Sequence, residues 1–419
     1  MTLDGVGPPR SGPSRRELLR WLAYGGAGVA AGFPLLACGS GASSPAADGA
    51  RRHTIGPVAD RVLVVIELDG GNDGLSTLVP FDVGRYRDLR PTLAIGSNDV
   101  IDLGGAYGLH RKLSGVHRRG VAVIEGLGAR QPDLSHFEMS ARWWSGRPDG
   151  GRTDTGFLGR VCDAVHGDEL LSGVSLGGGP SPVMVSRKAP TAGLSDLGLG
   201  SLLDPNSDLE LVARRSLDRL IRPGPAGNPL TLAVAAGLGG MVELAQLVNA
   251  LPEPSPGYPE TEFATQLALV SRLIRSGAGI RIFHVPMAGA GFDTHEGHGD
   301  THPRLLEMFD AALQSFLDEM ESIGRGGDVL VATTSEFGRR VSENSGGLDH
   351  GTASCALLMG PVVPGRHGEP PSLRDLDDGN LIATAEFDRY QATLASWLGA
   401  DPAEVFERDP GVFDDIIVD

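Results

Sequence analysis

Unbroken apolar runs alternate along the chain with segments whose apolar residues recur at helical spacing. The run VLVVI within residues 61–68 is rich in β-branched side chains, as expected of a central parallel strand covered on both faces. Similar runs at 121–126, 280–287 and 329–333 predict three more strands, each followed by a polar or glycine-rich turn. Helical spacing predicts helices over 109–118, 135–145, 209–221, 230–251, 260–275, 303–323 and 386–398.

This alternation predicts an α/β fold with a central, mostly parallel sheet and helices on both faces. Residues 60–419 show no break in composition, so they are predicted to form one α/β domain. Residues 38–59 are rich in Ala, Gly, Ser and Pro without an apolar period, which predicts a flexible tether. Residues 1–37 precede that tether and have the pattern of a signal peptide.

The signal has the features that the twin-arginine export pathway recognises. Arg15 and Arg16 precede an apolar run from Trp21 to Ala37, which is short and glycine-containing for a permanent transmembrane helix. We therefore expect a mature protein in the periplasm or at the cell surface. The segment LLAC, ending at Cys38, resembles a lipobox and predicts a lipid on Cys38 as the membrane attachment; a plain signal cleaved nearby is the alternative.

Composition and charge narrow the classes of partner and cofactor. The formal net charge of −17 predicts no nucleic-acid partner, because phosphate binding needs a basic surface. Cys162 and Cys355 lie in apolar helix or strand patterns and are predicted to be buried free thiols rather than a disulfide. Twin-arginine export carries proteins that fold before they cross the membrane, often with a cofactor already inserted, which favours a bound metal.

Four polar clusters follow predicted strands, at the sheet edge where open parallel sheets bind ligands. In the first, Asp69, Asn72 and Asp73 lie in a loop that glycines allow to bend sharply. Two carboxylates and an amide suit a cation, and a turn bonded by its own side chains is the alternative. In the second, Ser135 and Glu138 have capping-box spacing. Ser135 also lies in the positive field of a helix N-terminus, so cap and nucleophile both remain open.

The third cluster, residues 292–302, holds three histidines and three carboxylates. Imidazole and carboxylate together suit Zn, Mn or Fe, and such a density of polar groups is hard to explain as core packing. Asp293 and His295 are the strongest ligand candidates. The alternative is a polar surface loop.

The fourth cluster combines Glu336 and Arg339 with an Asp-His pair at residues 349–350. An arginine at a strand end can hold a phosphate or sulfate oxygen through two hydrogen bonds. A loop closed by ordinary salt bridges is the alternative interpretation of the same residues.

A set of short strings occurs in fixed order from Leu68 to Gly351: LDGGNDGLSTLVP, RPTLAI, GLH, SHF, TGFLGR, FDTH, SEFGRR, EN and DHG. This set resembles the bacterial family called domain of unknown function 1501, over roughly residues 60–400. The resemblance implies an alkaline-phosphatase-like fold. That superfamily includes phosphatases, sulfatases and cofactor-independent phosphoglycerate mutases.

The resemblance also implies roles for single residues. The superfamily's metal ligands and nucleophile correspond, in chain order, to Asp69, Ser135, Asp293, either His295 or His298, Glu336 and His350. Phe337 stands where the superfamily has a metal-binding histidine, so a complete two-metal site is not implied. Asp73, His136 or Asp349 then supplies a missing ligand, or the site holds one metal. The implied cofactor is a divalent metal: Zn, Mn, Mg or Ca.

Two functions follow from these expectations. The first is hydrolysis of a small anionic phosphate or sulfate ester, with Ser135 as nucleophile and Arg339 on a non-bridging oxygen. His136 is a candidate base, although neighbouring helix residues point to different sides, which favours activation of Ser135 by metal. The second is a catalytically degenerate binding protein of the same fold, which Phe337 favours.

Overall fold

The structure, a computed structural model, describes residues 57–167, 169–179, 181–194, 247–248, 250–287 and 291–418. The main strands are β1 (Val62–Glu67), β2 (Leu78–Val79), β3 (Val100–Asp102), β4 (Gly108–His110), β5 (Ala122–Gly128), β6 (Gly173–Ser175), β7 (Thr191–Gly193), β8 (Ile282–Pro286), β9 (Val329–Thr334), β10 (Ser354–Met359), β11 (Gly365–His367), β12 (Leu376–Asp377), β13 (Asn380–Leu381) and β14 (Ala385–Glu386). The α-helices are α1 (Gly74–Thr77), α2 (Gly84–Leu89), α3 (Ser114–Arg118), α4 (His136–Ser145), α5 (Phe157–Val165), α6 (Glu262–Ser276), α7 (His298–Ser322), α8 (Phe387–Trp397) and α9 (Pro402–Phe406).

The central sheet contains nine of these strands, in the order β11, β5, β10, β9, β1, β8, β6 and β7, with β14 beside β5. β1 pairs in parallel with β8 on one side and with β9 on the other. β10 runs antiparallel to its neighbours β5 and β9. The predicted α/β fold with a mostly parallel central sheet is therefore confirmed.

The two faces of β1 pack into two separate apolar cores. Val62, Val64 and Ile66 join the core that contains side chains of α6 and α7, whereas Leu63 and Val65 join the core that contains side chains of α4, α5 and α8. Successive side chains of a strand point to opposite faces, so an unbroken apolar run is stable where helices cover both. The sequence of β1 thus accounts for its central position.

The predicted helix over 109–118 is only partly correct. Residues 108–110 form β4, which pairs with β2 and β3 in a small antiparallel sheet, and the chain then passes through a 3₁₀ turn, Arg111–Leu113, into α3. Backbone pairing with distant residues overrides the local helical pattern there. The predicted helices over 135–145, 260–275, 303–323 and 386–398 match α4, α6, α7 and α8, although α7 begins earlier, at His298.

Several other predictions concern the ends and the cysteines. The signal peptide, most of the tether, the helix over 209–221 and most of the helix over 230–251 lie outside the described residues. Cys162 and Cys355 are both free thiols in the structure, and Cys162 is fully buried whereas Cys355 is partly buried. Among the described residues, no helix is long and apolar enough to cross a membrane.

Candidate functional site

Three loops meet where β1, β8 and β9 end at the carboxyl edge of the sheet. The backbone N–H of Phe292 donates to the carbonyl of Asp69 at 3.0 Å, and the N–H of Gly70 donates to Oε1 of Glu336 at 3.0 Å. These bonds hold the first, third and fourth predicted clusters against one another. The structure therefore brings Asp69, Asp293 and Glu336 to one site.

Two glycines allow the loop after β1 to approach its neighbours closely. Gly70 and Gly71 have φ of 109° and 83°, a region that glycine adopts without strain. A Cβ atom on Gly70 would lie 2.4 Å from the backbone nitrogen of Asp293, and one on Gly71 would lie 2.5 Å from the ring of Phe337. The close packing of the loops thus depends on glycine at both positions.

Three histidine rings surround the Asp293 carboxylate. Its Oδ1 atom lies 3.1 Å from Nε2 of His295, 3.2 Å from Nε2 of His350 and 3.6 Å from Nε2 of His136. Nε2 of His295 and Nε2 of His350 are 2.9 Å apart. We call Asp293 and these three histidines the Asp293 cluster.

Each ring of the Asp293 cluster is oriented by an acceptor at its other nitrogen. Nδ1 of His136 lies 2.7 Å from Oε1 of Glu336, and Nδ1 of His350 lies 2.7 Å from the carbonyl oxygen of Leu134. Nδ1 of His295 lies 3.1 Å from Oδ1 of Asp349. Carboxylate and carbonyl oxygens only accept, so a ring held in this way carries a hydrogen on Nδ1. Nε2 of His295 and of His350 also face an acceptor, the Asp293 carboxylate, so these atoms need either a second proton or a bound cation.

These Nε2 atoms fit a bound cation. Nε2 of His136 is buried without a hydrogen-bond partner, and the facing Nε2 atoms of His295 and His350 need a proton or a cation between them. Of the described residues, His136, Asp293 and His350 offer ligand atoms that all lie within 4.8 Å of one another. Metal-binding histidines characteristically donate their second N–H to a carboxylate or a carbonyl, as all three rings do here.

Charges around the cluster also favour a cation. The hydrogen bond to Glu336 raises the pKa of His136, against the effect of burial. Partial burial, together with the charges of Glu336 and Glu67, raises the pKa of Asp69. Burial alone would raise the pKa of Asp293, but the hydrogen bond and charge of Arg339 lower it, which keeps Asp293 ionised. Negative charge is thus concentrated at this edge.

Arg339 fastens the loops of the site together. Its buried guanidinium donates to the Asp293 carboxylate and to four backbone carbonyls, those of Gly70, Gly71, Phe292 and Leu348. The bond to Asp293 measures 2.6 Å. Most of its donors are therefore occupied by the protein, and an ester oxygen would have to displace one of these partners.

Ser135 lies between two residues that contact the Asp293 cluster. It is the N-cap of α4, it is exposed, and its hydroxyl makes no capping hydrogen bond. The predicted capping box is absent, because Glu138 pairs with Arg142 at 2.8 Å instead. The carbonyl before Ser135 contacts His350, and the ring after it belongs to the cluster. Its hydroxyl is thus free for another role.

Two predicted metal ligands have other partners. Asp73 is buried and accepts two hydrogen bonds from Arg90, at 2.6 and 3.0 Å. Burial alone would raise the pKa of Asp73, but Arg90 and His298 hold it well below its usual range. His298 is buried between Asp73, at 3.3 Å, and Thr294, at 2.7 Å. The structure does not bring Asp73 and His298 into the Asp293 cluster.

Another group of polar side chains, not predicted from the sequence, surrounds Glu67 at the end of β1. Glu67 accepts from the indole of Trp144 at 2.8 Å and contacts Nε2 of His284 at 2.9 Å, and Nδ1 of His284 contacts the Ser175 hydroxyl at 3.0 Å. Glu67 could have been recognised in the sequence, because it is a charged residue at the end of an otherwise apolar strand. His284 lies inside β8, where the apolar pattern concealed it.

Comparisons with known proteins give a family. The sequence profile of a family described as "Protein of unknown function (DUF1501)" matches residues 107–409. No match was found among curated proteins. The family predicted from the ordered motifs is therefore confirmed.

The solved structures that match this chain have low sequence identity and low TM-scores. The C-terminal periplasmic domain of EcEptC from Escherichia coli, in complex with Zn, is 8% identical with a TM-score of 0.37, over 85% of this chain and 92% of that one. A protein in the alkaline phosphatase superfamily from Vibrio parahaemolyticus is 12% identical with a TM-score of 0.34, over 83% and 69%. Alkaline phosphatase from the Antarctic bacterium TAB5 is 11% identical with a TM-score of 0.36, over 73% and 94%. Likenesses at this level carry no information on reaction or substrate.

Proposed function

Because the chain belongs to the DUF1501 family of proteins of unknown function, we propose its reaction from its own site: hydrolysis of small anionic phosphate or sulfate esters with a bound divalent metal. The observation that carries this proposal is the Asp293 cluster, in which three imidazole Nε2 atoms face one carboxylate oxygen. Three rings oriented by separate acceptors form a site that is arranged before any ligand binds.

The residues that would hold the metal are Asp293, His136 and His350, with His295 as a fourth ligand. A set rich in imidazole suits Zn or Mn better than Mg or Ca, which prefer oxygen ligands. A bound divalent cation would stabilise negative charge on an ester oxygen and reduce the cost of ionising a serine hydroxyl.

Ser135 is the candidate nucleophile. Its exposed hydroxyl has no capping bond, and it lies at the N-terminus of α4, where the helix dipole attracts an anionic ester. His136 cannot readily act as its base, because Nδ1 is held by Glu336 and Nε2 faces Asp293. In this proposal the N-terminus of α4 orients the ester, while Glu336 and Asp349 fix the rings of His136 and His295.

Phe337 favours a second candidate, a binding protein without turnover. Its ring is buried, with its centroid 4.8 Å from that of His136 and 4.8 Å from that of His350. This apolar wall offers no ligand to a second cation beside the first, which favours one metal. An anion bound to a single metal without further activation would be held rather than hydrolysed.

Metal binding and turnover test the proposal. Purified protein is titrated with Zn and assayed, with Zn, Mn, Mg and Ca in turn, on aryl phosphate, phosphodiester and sulfate substrates. We expect His350→Ala to weaken Zn binding at least tenfold. The matched control is His166→Ala, since His166 also contacts a carboxylate, that of Glu169, outside the cluster.

The outcomes separate the two candidates. Metal-dependent turnover that disappears in Ser135→Ala supports the hydrolase with this nucleophile. Zn binding without turnover on any substrate supports the binding protein. Equal Zn affinity of wild type and His350→Ala would contradict the metal site and both candidates with it.

We also propose that the protein works outside the cytoplasm, after twin-arginine export and lipidation of Cys38. Support comes from the pair Arg15-Arg16 and the lipobox-like segment. Replacing both arginines by Lys should abolish export in fractionated cells, because lysine lacks the planar guanidinium. Cys38→Ala should release mature protein from membranes. Undiminished export of the double variant, or unchanged fractionation of Cys38→Ala, would contradict the respective proposal.

A further inference from the structure

Helix α4, which carries His136 of the Asp293 cluster, is attached to the ends of two neighbouring strands by two carboxylates. At its first residue, Nδ1 of His136 lies 2.7 Å from Oε1 of Glu336, which follows β9. At its last turn, Nε1 of Trp144 donates to Oε1 of Glu67, the last residue of β1, at 2.8 Å. The second contact lies outside the cluster, and the proposed reaction gives it no role.

The two contacts together restrict where α4 lies on the sheet. His136 is the first residue of α4 and Trp144 the last but one, so they are separated by about 12 Å along the helix axis. β1 and β9 are paired neighbours, and Glu67 and Glu336 line one cavity between α4 and the sheet. Apolar packing is non-directional, whereas a hydrogen bond defines a distance and a direction. The bond to Glu67 therefore limits how far α4 can shift or pivot about its first residue.

Glu67 is itself held by a buried histidine and a buried serine. Its Oε2 lies 2.9 Å from Nε2 of His284, and Nδ1 of His284 lies 3.0 Å from the Ser175 hydroxyl. The carboxylate only accepts, so Nε2 of His284 carries a hydrogen, and a neutral ring accepts the Ser175 hydrogen at Nδ1. Serine hydrolases have the same order of groups, but Ser175 and His284 are 1% and 3% exposed, so neither is accessible to a substrate. This pair instead orients the Glu67 carboxylate.

We propose that Glu67 is a positioning residue for the metal site: through Trp144 it fixes α4 on the sheet and so sets the place of Nε2 of His136. This inference rests on the proposed function, since it takes the Asp293 cluster to bind a divalent metal. Nε2 of His136 lies 3.6 Å from Oδ1 of Asp293, the longest of the three imidazole distances in the cluster. Metal ligands have to lie within about 0.2 Å of the ideal bond length, so a small shift of α4 would remove His136 from the ligand set.

Two variants of Glu67 separate its hydrogen bonds from its charge. Glu67→Gln and Glu67→Met both remove the charge, but only glutamine can still accept from the Trp144 indole and contact His284. In competition with a chelator, we expect full-length Glu67→Met to bind Zn about tenfold more weakly than Glu67→Gln, the lower end of the range for residues that orient metal ligands. In a His136→Ala background the two variants should bind Zn equally, because the ligand that Glu67 positions is then absent.

Trp144→Phe tests the same bond from the helix, with every charge retained. It should weaken Zn binding about tenfold in the wild-type background and should leave the Zn affinity of His136→Ala unchanged. The matched control is Trp397→Phe, since the Trp397 indole donates at 3.4 Å to the carbonyl of Val62, the first residue of β1 and so the opposite end of the same strand. That control should bind Zn as tightly as wild type does.

The outcomes distinguish failure of this inference from failure of the proposed function. Equal Zn affinity of Glu67→Met and Glu67→Gln would overturn the positioning role. An unchanged affinity of Trp144→Phe, a loss that persists in the His136→Ala background, or an equal loss in Trp397→Phe would do the same. If Glu67→Met does not fold, the Trp144→Phe comparison decides alone. Wild type that binds Zn no more tightly than His350→Ala would overturn the proposed function, and this inference with it.

Discussion

Replacing Arg339 by Lys would separate a scaffolding role from a substrate-binding role. The guanidinium is buried and joins the loops that follow β1, β8 and β9 through five partners. Lysine keeps the positive charge but replaces the planar, five-donor fork by a single ammonium. The lysine ammonium can donate hydrogen bonds to only one or two of these partners at once.

The expected loss of stability follows from the contacts. Each hydrogen bond to a neutral carbonyl contributes about 1 kcal/mol, and a bond to a charged group contributes about 1.5–3 kcal/mol. The Asp293 side chain is 45% exposed, so its contribution belongs at the lower end of that range. With two partners retained by Lys, we expect the free energy of unfolding to fall by about 3 kcal/mol.

Urea unfolding followed by tryptophan fluorescence measures this loss. The matched control is Arg340→Lys, because Arg340 is the next residue and its ion pair is with Asp378, whose side chain is 89% exposed. That control should change the free energy of unfolding by less than about 1 kcal/mol. If Arg339→Lys were as stable as the control and lost only catalysis, the scaffolding role would be wrong and the predicted contact with an ester oxygen would be favoured.

Three further predictions concern buried charges. Burial raises the pKa of Asp388 to about 6, so the stability contributed by its neutral form is fully present below the ordinary pKa and is lost as pH rises through 6. In urea unfolding, the free energy of unfolding of Asp388→Asn should rise by about 3 kcal/mol relative to that of wild type between pH 4 and pH 7.5. A pH-independent difference would contradict this. Arg90→Met leaves the Asp73 carboxylate buried without its cation and should cost about 3–5 kcal/mol, partly recovered by adding Asp73→Asn; a cost below 1 kcal/mol would argue against the ion pair. Glu336→Gln removes the anionic acceptor of His136 and should weaken Zn binding about tenfold or more in competition with a chelator, whereas equal affinity would exclude this orienting role.

The central strand shows what local sequence pattern makes predictable. The β-branched run of β1 requires cover on both faces, and its end marks the loop that carries Asp69. Because parallel strands end at a common edge, three clusters far apart in sequence could be placed together before the structure was known. The meeting of Asp293 with Glu336 in one site follows from this topology alone.

Side-chain contacts between residues far apart in the chain were not predictable from the sequence. His136 and Glu336 are 200 residues apart, and no local signal distinguishes Nδ1 of His136 as the atom that Glu336 orients. Arg90 gave no signal either, although it commits Asp73 to a buried ion pair. The strand at 108–110 likewise depends on pairing with β2 and β3, which a helical pattern over the same residues conceals.

His295, His298 and His302 have different partners in the native structure, and this difference has a consequence for refolding. In the unfolded chain these rings are close in sequence and free to bind one metal ion together. In the native chain His298 and His302 are buried and bonded to Thr294 and Asn72, and His295 alone of the three turns to the Asp293 cluster. We therefore expect Zn in a refolding buffer to bind these three rings in the unfolded chain, in competition with its binding at the native Asp293 cluster. The yield of refolding should fall as Zn is raised and recover when a chelator is kept in the buffer until folding is complete.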